Sequence, residues 1–377
     1  MNDCIQVGSD LLTNKGGIYQ ACKDYYSALD GRILSITDPQ QSLDGKDASV
    51  AYFMTGKNPM SRLSGYMPHQ ERTRFYQCLA EGHSALFLHG CYRLSAHYVM
   101  TASKQKGTPY VFVPHGGLDP WVFTYRRAVK LMWMRMYGLR ILRNADTVLA
   151  MTRNEMAKIQ RFVGVLPNQR VIYLPLDING CKYTKDRAVV RAERGIPLDA
   201  CVLCYLGRLH HMKRPQETIE AVLAASNNIH LVVAGPDDSV TAESLKQYVD
   251  KHDARDRIHV TGPIYGDEKY NLLSACDAYI SLSHRENFNY TAAEAMAMSL
   301  PVILSPGNDL QGEILDANCG WMLDSLDAST VKESLLAFEQ TSPDDLLRKG
   351  SNGKQWVLDH LTFEHFQSQL QELVGSL

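Results

Sequence analysis

The sequence predicts an α/β protein made of two parallel-sheet domains, on three observations. Short apolar runs alternate with helix-length amphipathic runs from residue 33 onward, the pattern of βαβ units whose strands lie parallel. The 377 residues suffice for about two domains, and a hydrophobic content of 45% supplies a core for each. The alternation fades across 177–198 and restarts at Cys201. The predicted domains are therefore 1–178 and 179–355, with a closing segment, 356–377.

In the first half, Lys15-Gly16-Gly17 is a turn entering a helix that ends near Asp30. The two glycines either let the backbone approach a ligand or form a plain turn. The preceding residues, MNDCIQVGSD, are polar and do not read as a signal peptide. Strands follow at 33–37 and 50–54, a helix at 69–81, and a strand at 85–90 ending in His89-Gly90. A helix over 93–106 leads to TPYVFVPHGG, a strand ending in His115-Gly116-Gly117. Ligands of parallel sheets bind where strands end in glycine-bearing loops. His115 is therefore a candidate site residue, while His89 serves either ligand contact or packing. Residues 121–145 hold Arg126, Arg127, Lys130, Arg135, Arg140 and Arg143 and no acidic side chain. They predict either a helical hairpin broken near Gly138 that leans on anionic lipid, or a solvated helix surface with snorkelling arginines. A strand at 146–152, a helix ending near Gly164 and a strand at 170–176 complete the half.

In the second half, strands are predicted at 201–206, 229–234, 257–261 and 277–282. Helices are predicted at 215–226, 241–252, 267–275 and 329–339. The first strand runs into GRLHHMKRP (207–215), where Arg208 and Lys213 follow a glycine turn. Fixed cations before a helix suit a diphosphate, the guanidinium gripping two oxygens and the ammonium adding a point charge. The last strand runs into RENFNYTAAEAMAMSLPVIL, where Glu286 and Glu294 stand with seven residues between them. If 290–299 is helical, the neighbours of Glu294 at three and four residues are Tyr290, Thr291, Ala297 and Met298, none of them cationic. A buried, unpaired carboxylate is costly, so Glu294 awaits either ligand hydroxyls, the favoured reading, or a structural ion pair from another segment. The two carboxylates lie ~8–12 Å apart along the axis at about 1.5 Å per residue, a span from a hexose hydroxyl across a diphosphate to a ribose. Segment 287–291 would offer free N–H groups at a helix start. Asn287 and Asn289 tolerate the left-handed backbone of a tight turn.

Composition excludes several classes. A net charge of −2 gives no global field for nucleic acid. The nine cysteines include no CxxC and no Cys/His metal spacing. Cys201, Cys204 and Cys276 read as reduced core residues of a cytosolic protein. No run reaches the roughly 18 apolar residues of a spanning helix, and GxGxxG is absent, which disfavours a dinucleotide-dependent oxidoreductase.

Taken in order, the Gly16-Gly17 loop, PHGGLDPW, GRLHHMKRP, the Glu286/Glu294 pair with EAMAMSLPVI, and Glu313 resemble the retaining glycosyltransferases of family 4. The resemblance implies the GT-B fold, two Rossmann-like parallel-sheet domains facing a deep interdomain cleft. It gives the acceptor to the first domain, the nucleotide sugar to the second, and a closing helix over 356–372 that crosses back. Arg208 and Lys213 would neutralise the leaving diphosphate, and Glu286 would hold hydroxyls of the donor sugar. The backbone of Asn287, Phe288, Asn289 and Tyr290 would contact sugar and phosphate, and Glu294 would bind the ribose. His115 would face the transferred sugar, Gly16 and Gly17 would line the cleft, and Pro236 and Ile264 would flank the base.

The chain departs from the family where Asn287 and Asn289 stand in place of frequent glycines and where Pro175-Leu176-Asp177 replaces PNG. No DxD motif ends a strand, so a metal-independent enzyme without cofactor is expected, the nucleotide sugar being its co-substrate; Asp237-Asp238 reads as a turn. The expected reaction is retaining transfer of a hexose, from UDP-glucose first and GDP-mannose second. The acceptor would be a saccharide or lipid-linked saccharide, or a small metabolite. The location would be cytoplasmic, with contact at the inner membrane face through 121–145. The rival readings are a nucleotide-sugar epimerase or hydrolase on this fold and a non-catalytic nucleotide-binding scaffold.

Overall fold

A computed structural model describes residues 3–11, 17–38, 47–80, 82–166 and 168–377. The chain divides into two compact units, Met1–Pro175 with Phe363–Leu377, and Leu176–Thr362.

The first unit is built on seven parallel strands: β1 (Cys4–Ser9), β2 (Gly31–Thr37), β3 (Val50–Met54), β4 (Ala85–His89), β5 (Tyr110–Val113), β6 (Thr147–Ala150) and β7 (Gln169–Val171). Their order is β3-β2-β1-β4-β5-β6-β7, so the winding reverses between β1 and β4. Alternation sends Ile5, Val7, Leu86 and Leu88 into one core. On the other face Tyr25 of helix Gly17–Leu29 meets Phe87, His89 and Phe366 edge-on, with ring centroids 5.1–5.4 Å apart. Phe366 belongs to the last helix, Phe363–Gly375, which returns the chain to this unit.

The central strand β1 was not expected. The polar look of MNDCIQVGSD hid it, because Gln6 interrupts the apolar run although Cys4, Ile5, Gln6 and Val7 are all fully buried. Residues 121–145 are not a hairpin. After a 3-10 turn, Pro120–Thr124, the chain stays helical from Arg127 to Asn144 with one π-helical turn, Met134–Gly138. Gly138 keeps helical angles (φ −58, ψ −49), and a Cβ there would stand 2.5 Å from Met134 Sδ. Glycine is used here for close packing, not for a break. Short helices at Pro59–Ser64, Arg187–Glu193 and Gln311–Ala317 were also not anticipated.

The second unit holds β8 (Cys201–Leu206), β9 (Ile229–Ala234), β10 (Ile258–Gly262), β11 (Ala278–Ser281), β12 (Val302–Leu304) and β13 (Gly320–Met322), all parallel, in the order β10-β9-β8-β11-β12-β13. Helix Pro343–His360 belongs to this unit, so the closing helix starts at Phe363, not at 356. Gly350 and Gly353 explain its attachment. A Cβ on Gly350 would lie 1.9 Å from Ser299 O, and one on Gly353 3.3 Å from Met296 Cγ.

One buried cation organises the lower ends of β8 and β11. Arg191, 0% exposed, donates to Ala275 O (2.8 Å), Pro197 O (3.1 Å), Leu198 O (2.8 Å), Ala200 O (2.9 Å) and Asp277 Oδ2 (2.8 Å). The same Asp277 oxygen accepts from Val202 N at 2.8 Å. Removing one partner of a buried ion pair costs about 3–5 kcal/mol. We therefore expect Arg191→Met to lower unfolding free energy by about that amount in urea titrations. Arg191→Lys should rescue little, since an ammonium cannot reproduce the guanidinium's fan of donors. A loss below about 1 kcal/mol for Arg191→Met, the scale of an ordinary surface change, would refute this role.

Candidate active site

In the second unit the winding reverses between β8 and β11, and the loops leaving these two strands carry the charged residues. After β8, the His210 side chain caps a short 3-10 turn through Met212 N at 3.0 Å. Arg214 takes a left-handed φ of 55°, and Pro215 opens the helix Pro215–Ala225. This geometry turns Lys213 toward β11, where its Nζ pairs with Glu286 Oε1. Ser283 Oγ donates to that same oxygen at 2.9 Å. His284 N donates to Met212 O at 2.9 Å and ties the two loops together. The 305–310 loop braces Glu286 from beneath, with Glu286 N donating to Gly307 O (2.8 Å) and Asp309 N to Glu286 O (2.9 Å). Gly307 has to be glycine, since a Cβ would lie 2.2 Å from His284 O.

Arg208 does not share this point. Its side chain is 58% exposed and pairs with Asp238 at 2.7 Å, so the 237–238 turn serves as a counter-charge. Pro236 and Ile264 are half-buried in the loops after β9 and β10. Leu209 N donates to Pro236 O at 2.9 Å, and Gly235 lies so close to Gly207 that a Cβ would stand 1.7 Å from Gly207 O.

Glu294 is paired: Lys269, from the helix Asp267–Ala275, reaches its Oε1 at 2.6 Å. The cation missing from its own helix comes from the neighbouring one, a contact invisible to local spacing. The helix itself is Tyr290–Ala297, shorter than 290–299, and stops where Ser299 turns left-handed at φ 60°. The asparagines do not make a left-handed turn. Asn289 has φ −82° and serves as N-cap, its side chain accepting from Ala292 N at 3.2 Å. Asn287 is absent from the positive-φ positions, and both its amide atoms are buried without a partner among the described residues. Nδ2 of Asn308, a fully buried side chain beside Glu286, is likewise unpaired among them. Phe288 is buried against Tyr290, the centroids 5.0 Å apart. Glu313 is buried in the first turn of Gln311–Ala317.

The first unit contributes a second polar cluster. His115 follows β5 at a left-handed φ of 50°, and Gly116 follows at 68°. Non-glycine residues in this region mark strain worth a functional question. The turn is held by Glu155, a buried carboxylate that accepts from Gly116 N (2.5 Å) and Met151 N (2.8 Å). His115 Nε2 lies 2.8 Å from His89 Nδ1, and His89 Nε2 lies 2.9 Å from Gln6 Oε1. Burial pushes His115 down to about 3 and His89 well below the usual histidine range, the neighbouring ring adding to the latter. Both rings are neutral near pH 7. Gly17 is exposed at the start of its helix, and Gly16 lies outside the described residues. Local reading missed Gln6, Ser283, Asn308 and Lys269. Of these only Gln6 left a trace, a polar residue inside an otherwise apolar tetrad before Gly8.

Two Rossmann-like units whose charged loops leave the carboxyl ends of parallel strands are the GT-B architecture. Comparison with known proteins agrees. Residues 186–356 match the family profile "Glycosyl transferases group 1", and 29–177 match "Glycosyl transferase 4-like domain". Relatives include D-inositol 3-phosphate glycosyltransferases. That of Kineococcus radiotolerans is 29% identical over 48% of this chain and 44% of its own. That of Streptomyces scabiei is 25% identical over 72% and 63%. The matched segments thus span roughly half of these relatives' length. Among solved structures, sucrose-phosphate synthase from Thermosynechococcus elongatus superposes with TM-score 0.75 at 21% identity, covering 100% and 99% of the two chains. Anabaena HepE in complex with UDP-glucose superposes with TM-score 0.76 at 16% identity over 100% of both. The chain belongs to the GT-B glycosyltransferases of family 4.

The cap assignment of Asn289 is open to test. Replacing an N-cap asparagine by alanine costs about 1 kcal/mol, and by glycine only a few tenths. Asn289→Ala should therefore lower urea-unfolding stability by roughly 1 kcal/mol and Asn289→Gly by much less. A gain in stability with glycine would mean that the site needs left-handed backbone after all.

Proposed function

We propose that the chain transfers a hexose from a nucleoside diphosphate sugar to a saccharide or lipid-linked saccharide, with retention of anomeric configuration and without a metal. The observation that carries this is the Lys213–Glu286 pair at the switch point between β8 and β11. It sets one cation and one hydroxyl-binding carboxylate side by side, as a sugar joined to a diphosphate requires. Lys213 and Arg208, the latter swinging from Asp238, neutralise charge on the departing diphosphate, and fixed donors of this type are worth most when water is excluded. Glu286 holds sugar hydroxyls, and the peptide groups of 287–290 line the sugar and phosphate. Glu294 binds the ribose, and Pro236 and Ile264 flank the base. The anomeric carbon–oxygen bond to the diphosphate breaks, and the acceptor oxygen bonds to that carbon on the same face. The acceptor's proton passes to the leaving phosphate oxygen, so no side chain has to act as a covalent nucleophile.

UDP-glucose is the first donor. HepE structures contain UDP-glucose, or UDP with glucose, on the same fold. The relatives named for D-inositol 3-phosphate support a small-metabolite acceptor as the second reading. A donor raises the melting temperature as affinity and concentration dictate. UDP-glucose is expected to stabilise the protein more than GDP-mannose, with Glu294→Ala weakening UDP binding in calorimetry. Unchanged affinity would remove the ribose role. Donor consumed without acceptor would favour an epimerase or hydrolase.

Lipid contact through 121–145 is part of the reading. Among the described residues no helix is long and apolar enough to cross a membrane. Helix Arg127–Asn144 nevertheless turns Val129, Met132 and Met136 outward, each more than half exposed, among exposed Arg127, Arg135, Arg140 and Arg143. Large apolar side chains amid cations suit an anionic interface. In vesicle co-sedimentation, binding should rise with phosphatidylglycerol content and fall with salt. It should drop when Val129, Met132 and Met136 are all changed to Ser. Equal recovery on neutral and anionic vesicles would dismiss the contact.

A further inference from the structure

The charge on one ring decides whether the turn that carries Lys213 is held. The 3-10 turn His211–Lys213 is a single turn with no helical ladder of its own. Its closing bonds are Lys213 N to His210 O at 2.7 Å and Arg214 N to His211 O at 3.2 Å. The two amides at its start need acceptors from outside the turn. His211 N donates to Ser239 Oγ at 2.9 Å, and Met212 N donates to His210 Nδ1 at 3.0 Å. A peptide N–H can only donate, so His210 Nδ1 is a lone pair and the ring proton sits on Nε2. A second proton could go only to Nδ1, where it would face the Met212 N–H. The imidazolium has no acceptor left and cannot cap the turn. Beyond the turn, Met212 O accepts from His284 N at 2.9 Å, and Lys213 Nζ reaches Glu286 Oε1. Losing the cap therefore loosens both links to the loop after β11.

We propose that His210 is a positioning residue: as a neutral imidazole it caps the 211–213 turn and holds Lys213 for the diphosphate, and as an imidazolium it releases the turn and weakens nucleotide-sugar binding. This rests on the assignment of Lys213 to the diphosphate made above. Proton and nucleotide sugar are thereby linked, each lowering the affinity for the other. The surroundings set the window. Partial burial, then the His211 ring with its centroid 4.0 Å away, hold His210 below the usual histidine range. Asp238, from the loop after β9, opposes this, and Arg208 and Lys213 reinforce it. The capped ring binds a proton more weakly than a free one. The cap is therefore whole near pH 7 and is lost progressively as pH falls below the free histidine value of about 6.5.

Two measurements on the full chain separate the cap from the diphosphate role. The first needs no ligand. Long-range proton–nitrogen spectra with ¹⁵N-histidine, assigned through His210→Asn, should show a bare Nδ1 and a protonated Nε2 on His210 at pH 7.5. A protonated Nδ1 there would overturn the proposal. The second is calorimetry with UDP-glucose, whose diphosphate is esterified at both ends and keeps its charge between pH 7.5 and 5.5. Wild-type affinity should fall by about fivefold over that range, the usual worth of an N-cap side chain. His210→Ala should be weaker by about the same factor already at pH 7.5. His210→Asn offers a preferred cap without a titrating ring, so it should recover most of what alanine loses and change by no more than about twofold down to pH 5.5. An equal acid loss in wild type and His210→Asn would overturn the proposal, because another group would then be titrating. Wild-type affinity in His210→Ala at pH 7.5 would overturn it equally. Should none of the three bind UDP-glucose while the spectra are as expected, the diphosphate role would fall and the cap alone would stand.

Discussion

The pairing of β8 with β11 is the constraint on which the second unit depends, and Asp277 with Arg191 holds it. Asp277 gathers two arginines and the amide of Val202 at the amino ends of the two strands. The loops at the carboxyl ends carry Lys213 and Glu286. A parallel pair has no hairpin to fix its register, so polar contacts at its base substitute for one. An error of one residue there would send every following side chain to the opposite face of the sheet. The chemistry at the top of the sheet thus rests on charge buried at the bottom.

The three cations of the second unit's site are already matched: Lys213 with Glu286, Arg208 with Asp238, Lys269 with Glu294. Waiting charges are expensive to bury alone, and pairing keeps the unliganded site stable. The same pairing means that an anion has to compete for each cation. Its binding energy is the difference between two partners, not the full worth of a new ion pair, which favours ligands that satisfy the freed carboxylates as well. A ligand that carries hydroxyls beside anionic oxygens would do both at once, the former facing Glu286 and the latter Lys213.

The alternation of strands and helices was readable in the sequence because its parallel strands are buried and apolar on both faces. The exception proves the mechanism: β1 was hidden by Gln6, a polar residue tolerated in the central strand because its Oε1 lies 2.9 Å from His89 Nε2. At the site, the charged residues were legible by type and by their position after strands, while their partners were not. Glu294 looked unpaired because Lys269 arrives from another helix. Asn289 looked like a turn residue because a capping role depends on where the helix starts. Arg208 and Lys213 looked like one cluster because sequence proximity does not show which way a side chain leaves its loop. Tertiary partners, not local propensities, account for each of these differences.

The π-helical turn at Met134–Gly138 has a consequence of phase. Such a turn accommodates about one residue more than an α-helical turn, so the two ends of Arg127–Asn144 are out of step by about 100° relative to an unbroken α-helix. Deleting a single residue there would restore regular winding and rotate everything beyond it. Ile141 and Leu142, now buried, would swing away from the core, and the exposed Arg140 and Arg143 would leave the face they share with Met132 and Met136. The length of this segment is therefore part of its surface chemistry, and a homologue one residue shorter would carry the same side chains to a different address.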